Sequence, residues 1–146
     1  MAEWTLFRHS SIPPFSRMNA LAYLWAGPVS APAALVALIA KASGGSLSWR
    51  DGVLEVEGGV LPFLLRRMYP PMPVAAITLG HVVLAQSQAC LDATRAHERA
   101  HVRQYERWGP LFPVLYLAAS VEALLRGGDA YRDNRFEWEA RRAETR

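Results

Sequence analysis

The residues best placed to do chemistry lie near the centre of the chain, in His97-Glu98-Arg99-Ala100-His101. They belong to the stretch from Cys90 to Pro110, which meets no glycine or proline before Gly109 and Pro110. This predicts one helix, with Ser87 or Asp92 available to cap its start and Gly109 to stop it. Positions four apart share a helix face. His97 and His101 therefore point the same way, and their imidazoles can hold one metal ion. Glu98 sits at the edge of that face, where it can take a proton from water without itself being a ligand. The rival reading is a solvated, charge-laced helix, because Arg95, Arg99, Arg103 and Arg107 also recur at i+4 spacing. A third ligand separates the two readings.

The last stretch of the chain offers one. Asp133 or Asn134 can cap a final helix beginning at Arg135. Phe136 and Ala140 then fall at i and i+4 and can pack inward. Glu137 supplies the carboxylate that a site with two histidines and one glutamate needs. Glu139 projects about 200° around the axis from Glu137, so both cannot be ligands. Ala140 leaves room for the central helix to approach.

Other elements must position these groups. Residues 1–18 mix aromatics, arginines and the Pro13-Pro14 pair and read as an irregular arm, with His9 a surface histidine. Asn19 to Ala40 carries no charge and is long enough to cross a bilayer. It reads first as an anchoring or membrane-embedded helix, second as a signal peptide cleaved near Ala40-Lys41-Ala42, for which the apolar run is long and contains prolines, and third as a buried core helix. Asp51-Gly52 between two β-prone runs predicts a hairpin with one wet face. Residues 61–73 read as a short apolar helix entering a proline-rich loop. Residues 74–87 read as one strand, with Gly80 a possible bulge and His81 an ordinary hydrogen-bonded histidine upon it. Such a strand beside the central helix could hold an extended peptide by backbone pairing. Residues 111–125 form a second apolar run, interrupted by Glu122, for a core or interfacial membrane helix.

Composition narrows the classes. A chain of 146 residues, 51% hydrophobic and 20% charged, makes one domain with a modest core. The net charge of +3 comes from arginine, Lys41 being the one lysine. No basic stripe interleaved with aromatics is present, so no nucleic-acid partner is expected; a positive face toward a membrane accounts for the charge equally well. Cys90 is the single cysteine, which rules out an intramolecular disulfide and cysteine-based metal sites. Any metal must use histidine and carboxylate. Cys90 itself reads as a small core residue.

His97 to His101 matches HExxH. Together with Glu137-Trp138-Glu139-Ala140-Arg141 it resembles the gluzincin branch of zinc metallopeptidases, in particular a minimal version of the membrane protease group that includes CAAX-prenyl and heat-shock proteases. The resemblance covers the central and C-terminal helices, the β segment only loosely, and none of the first 40 residues. It implies Zn2+ on His97, His101 and Glu137, Glu98 as catalytic base, and a peptide or protein substrate. An oxyanion or substrate contact would come from Tyr105, His81 or Tyr131. Gln104 and Trp108 also lie on roughly the metal-facing side, Trp108 more as a packing residue. Two positions depart from the family pattern. Arg141 stands where the family has an aspartate that supports the site. Arg99 is charged where the family has an uncharged residue; it lies about 200° from His97, which suggests a solvent- or headgroup-exposed back to the helix. The expectation is a mostly helical α+β fold with a small hairpin or sheet beside the HExxH helix. It comprises an arm and an apolar helix, a candidate membrane segment, over 1–42 and a zincin-like metal-binding domain over 43–146. The alternative keeps the metal as a structural site in a non-catalytic membrane-associated protein; a third reading is a metal-free membrane adaptor with a fortuitous motif.

Overall fold

The computed structural model describes residues 20–68 and 73–145; the arm, His9 and most of the proline-rich loop lie outside them. The order is α1 (Ala20–Ala42), β1 (Ser46–Arg50), β2 (Val53–Glu57), α2 (Leu61–Met68), β3 (Ala76–Leu79), β4 (Val82–Ala85), α3 (Gln88–Trp108), a 3-10 turn (Gly109–Leu111), α4 (Phe112–Leu125) and α5 (Arg135–Glu144). The fold is α+β and mostly helical, as its sequence predicts. The four strands form one mixed sheet in the order β1-β2-β4-β3. β1 and β2 are antiparallel, β2 and β4 parallel, β4 and β3 antiparallel.

Asp51 and Gly52 both take positive φ, 49° and 78°, in the β1–β2 turn, the requirement of a two-residue primed hairpin. Residues 74–87 differ from the single strand expected. They fold as β3 and β4 around a two-residue turn at Gly80-His81, with Leu79 paired to Val82. Gly80 has φ 65°, and a Cβ there would lie 2.0 Å from Ser30 Oγ of α1. The residue read as a bulge is thus where a hairpin turns against a helix, and local pattern could not distinguish the two.

Side-chain alternation sorts the sheet into two faces. Val56, Val82 and Leu84 pack with Ala33, Ala37 and Ala40 of α1 and Leu61 and Leu65 of α2. Val53, Val83 and Ala85 pack with Leu91 and Val102 of α3, with Cys90 at the margin. A third cluster joins Ala26 of α1, Tyr105 of α3, Phe112 and Ala119 of α4 and Phe136 of α5. α1 therefore lies along the same core as residues beyond 43.

Glu55 is the departure on the α3 face of β2. The wet face expected of this strand is not wet there, since Glu55 is 2% exposed. Arg99 Nη2 donates to Glu55 Oε1 at 2.8 Å and to the Arg50 carbonyl at 2.8 Å, and Arg95 donates to both Glu55 oxygens at 3.2 and 3.3 Å. Arg99 does face away from His97, but into the protein, so the exposed helix back expected from its charge is corrected to a buried one. Buried charge is tolerated only when paired and hydrogen-bonded. Arg95 and Arg99, two members of the arginine repeat, serve that purpose, clamping α3 to the sheet at a fixed rotation and so fixing where His97 and His101 point.

Candidate metal centre

Ser87 caps α3 by accepting from the Cys90 N–H. Asp92, the other capping candidate, pairs instead with Arg95. Asn134 caps α5, accepting from the Phe136 N–H while its own amide donates to the Tyr116 carbonyl and to Ser120 Oγ. One fully buried side chain thus starts α5 and ties it to α4. Ala140, one turn beyond Glu137, is also fully buried, and its small size lets α5 lie close on α3.

This packing brings His97, His101 and Glu137 into one buried group that can hold a metal ion. The two Nε2 atoms are 3.1 Å apart. Glu137 places Oε2 at 3.1 Å from His97 Nε2 and Oε1 at 3.3 Å from His101 Nε2. The outer nitrogens settle the tautomers. His97 Nδ1 lies 2.8 Å from Glu144 Oε1, an acceptor. His101 Nδ1 lies 2.8 Å from Gln104 Oε1, an amide oriented by its Nε2 donating to the Phe136 carbonyl and Glu139 Oε2. Both Nδ1 atoms therefore carry the proton, and both Nε2 atoms turn lone pairs toward each other and toward a carboxylate. Among the described residues Glu137 Oε2 receives no hydrogen bond, as expected if the facing Nε2 is also an acceptor. Acceptors converging in a buried pocket can hold a cation.

The titration behaviour agrees. Burial lowers His97 and His101, but hydrogen bonding to Glu137 and the charges of Glu137 and Glu98 outweigh it, leaving both above the usual histidine value. Burial raises Glu137, but hydrogen bonds from His101 and His97, formed once those imidazoles are protonated, prevail and hold it far below the carboxylate range. Without a metal, protonation of the two imidazoles supplies the positive charge that Glu137 meets.

Glu98 is buried beside this group, and Thr78 Oγ1 of β3 lies 2.6 Å from its Oε2. The three candidates for a further polar contact separate. Tyr131 comes close: burial, then the Glu137 carboxylate, push its hydroxyl well above the tyrosine range, so it remains a donor. Tyr105 does not, standing edge-on to Phe112 in the apolar cluster, where burial pushes it up to about 12. Nor does His81, which stacks on Tyr23 and lies 3.1 Å from Glu106, a residue about 180° around α3 from His97. His81 links the β3–β4 turn to α1 and α3.

Four supporting residues escaped the sequence reading in these roles. Glu144 follows Glu137 by two helical turns, a spacing that could have exposed it; it supplies to His97 the support that Arg141 cannot. Gln104, one turn from His101, lies on the metal-facing side by spacing alone, but its bond to His101 Nδ1 leaves no sequence signal. Thr78 and Tyr116 leave no local signal, because only tertiary packing brings them to Glu98 and Glu137.

Comparisons with protein-family models, with curated proteins and with solved structures find no match.

Proposed function

We propose that this chain is a zinc-dependent metallopeptidase-like hydrolase, the reading carried by two inward-facing imidazoles and a carboxylate beside a buried glutamate. Zinc on histidine and carboxylate ligands, with bonds of roughly 2.0–2.2 Å in a tetrahedral arrangement, needs donors about 3.3–3.5 Å apart, close to the separations within this group. His97, His101 and Glu137 would hold it. Bound zinc would bring a water's pKa toward neutrality and polarise a substrate carbonyl.

The chain's own residues supply the remainder. Glu98, its second carboxylate oxygen free of Thr78, accepts a proton from the attacking water and returns it to the leaving amine. Glu144 and Gln104 fix the imidazole orientations. Tyr131 donates toward developing negative charge. β3 is an edge strand, so an extended peptide pairing with it would pass alongside Thr78 and hence Glu98. Elemental mass spectrometry of purified protein that has never met a chelator tests the site. Close to one zinc per chain is expected, and folded protein without bound metal would rule the reading out.

Two helical stretches, Ala20–Ala42 and an apolar window within Gln88–Leu125, are long and apolar enough to cross a bilayer, a test that core helices and signal sequences also pass. The distribution of sizes on α1 says more. Ala26, Ala33, Ala37 and Ala40 face the protein, while Leu21, Leu24, Leu35, Leu38 and Ile39 are each more than half exposed; α4 likewise exposes Val114, Leu117, Leu124 and Leu125. Small residues inward and large apolar ones outward invert the soluble pattern and suit contact with lipid. α1 packs on the sheet, whose open edges would be costly in hydrocarbon, so docking along the membrane surface is favoured over crossing it. Flotation with phospholipid vesicles is the check: the protein should rise with them, and protein left at the bottom of the gradient with neutral and anionic vesicles alike would refute docking.

A further inference from the structure

We propose that Tyr116 is a positioning residue that reserves one oxygen of Glu137, so that this carboxylate offers a metal ion a single oxygen and leaves a coordination position open. The inference rests on the metal reading above and goes beyond it, to what sets the coordination number.

The Tyr116 hydroxyl lies 2.7 Å from Glu137 Oε1. Oε2, on the other side of the carboxylate, is the buried oxygen that receives no hydrogen bond among the described residues and faces His97 Nε2 at 3.1 Å. The two oxygens are thus unequal before any ion arrives: Oε1 meets the phenol at 2.7 Å as well as His101 Nε2 at 3.3 Å, whereas Oε2 faces His97 Nε2 at 3.1 Å. A carboxylate with two bare oxygens can chelate through both, occupying the position that a reactive water needs. A short hydrogen bond to one of them opposes that.

The phenol is held from several directions. Its ring lies against Phe112 at 6.0 Å and Phe136 at 6.5 Å between centroids. Its backbone carbonyl accepts from Asn134, the residue that caps the helix carrying Glu137. One side chain therefore spaces the phenol and its target carboxylate together.

Cobalt(II) added to the metal-free full chain reads the coordination directly, because four-coordinate cobalt absorbs visible light several-fold more strongly than five-coordinate cobalt. The wild-type protein should give the intense spectrum and Tyr116→Phe the weak one, with the ring contacts kept and zinc bound roughly 10–100-fold less tightly, as for other lost supporting contacts. Superimposable cobalt spectra would overturn the proposal while leaving the metal site standing. No cobalt uptake by wild-type protein would overturn the metal reading itself. Should Tyr116→Phe not fold, the carboxylate infrared bands of the zinc-loaded wild type answer the same question. A separation wider than that of a free carboxylate supports one-oxygen ligation, and a narrower one excludes it.

Discussion

Glu98→Gln is expected to keep its zinc and its fold while losing peptide hydrolysis by about 10²–10⁴-fold, the usual contribution of a positioned acid–base group. The substitution is nearly isosteric. The glutamine carbonyl oxygen can accept from Thr78 as Oε2 does now, at 2.6 Å, so β3 and α3 stay joined. What disappears is the capacity to carry a proton from water to the leaving amine. Glu98 is outside the group of His97, His101 and Glu137 that can hold the metal, so metal content should not change. The measurement is the initial rate on a fluorescence-quenched peptide mixture, with zinc determined on the same samples. A variant as fast as wild type would remove Glu98 from the chemistry and favour the structural-metal alternative. A variant that lost its zinc would show instead that Glu98 holds the site together.

The legible parts of this fold are those that depend on short-range spacing. His97 and His101 at i+4, the inward i, i+4 pair Phe136 and Ala140, the Asn134 cap and the Asp51-Gly52 turn are each set within a turn or two of backbone, and each forms where expected. The misreadings share a different cause. A charge on a helix back ordinarily meets water, so local spacing puts Arg99 on an exposed face; only the long-range approach of Glu55, 44 residues away, buries it. Gly80 needed the knowledge that α1 brings Ser30 against the turn. Tyr105 and Tyr131 were equivalent from sequence, as both are tyrosines near a motif. The aromatic cluster under α4 takes the first, and the second approaches Glu137 only because of how the Gly127–Asn134 connection is folded. Tyr116 sits in a run that reads as uniformly apolar, and which face of such a helix turns toward a carboxylate is decided by tertiary packing alone.

Stripping zinc should lower the melting temperature, and the loss should grow from pH 5.5 to pH 8. The loaded protein gains stability by mass action, about 4 kcal/mol where free zinc exceeds its Kd a thousandfold. That affinity requires neutral imidazoles, so protons compete below the histidine range and the zinc contribution rises with pH. The metal-free protein runs the other way. His97 and His101 have folded-state values raised above the unfolded one. Their contribution is fully present below about pH 6.5, the unfolded value, and is lost as the pH climbs through the folded values, when lone pairs 3.1 Å apart confront each other without a bridging proton. Glu137 is held below its unfolded value, so its contribution is present above that value and fades only on acidification beneath it, outside this window. The two curves therefore diverge toward alkaline pH. Thermal unfolding of chelator-treated and zinc-reconstituted samples across this range measures the gap. A gap that stays constant or narrows with rising pH would mean that zinc, if bound, is not held by these imidazoles.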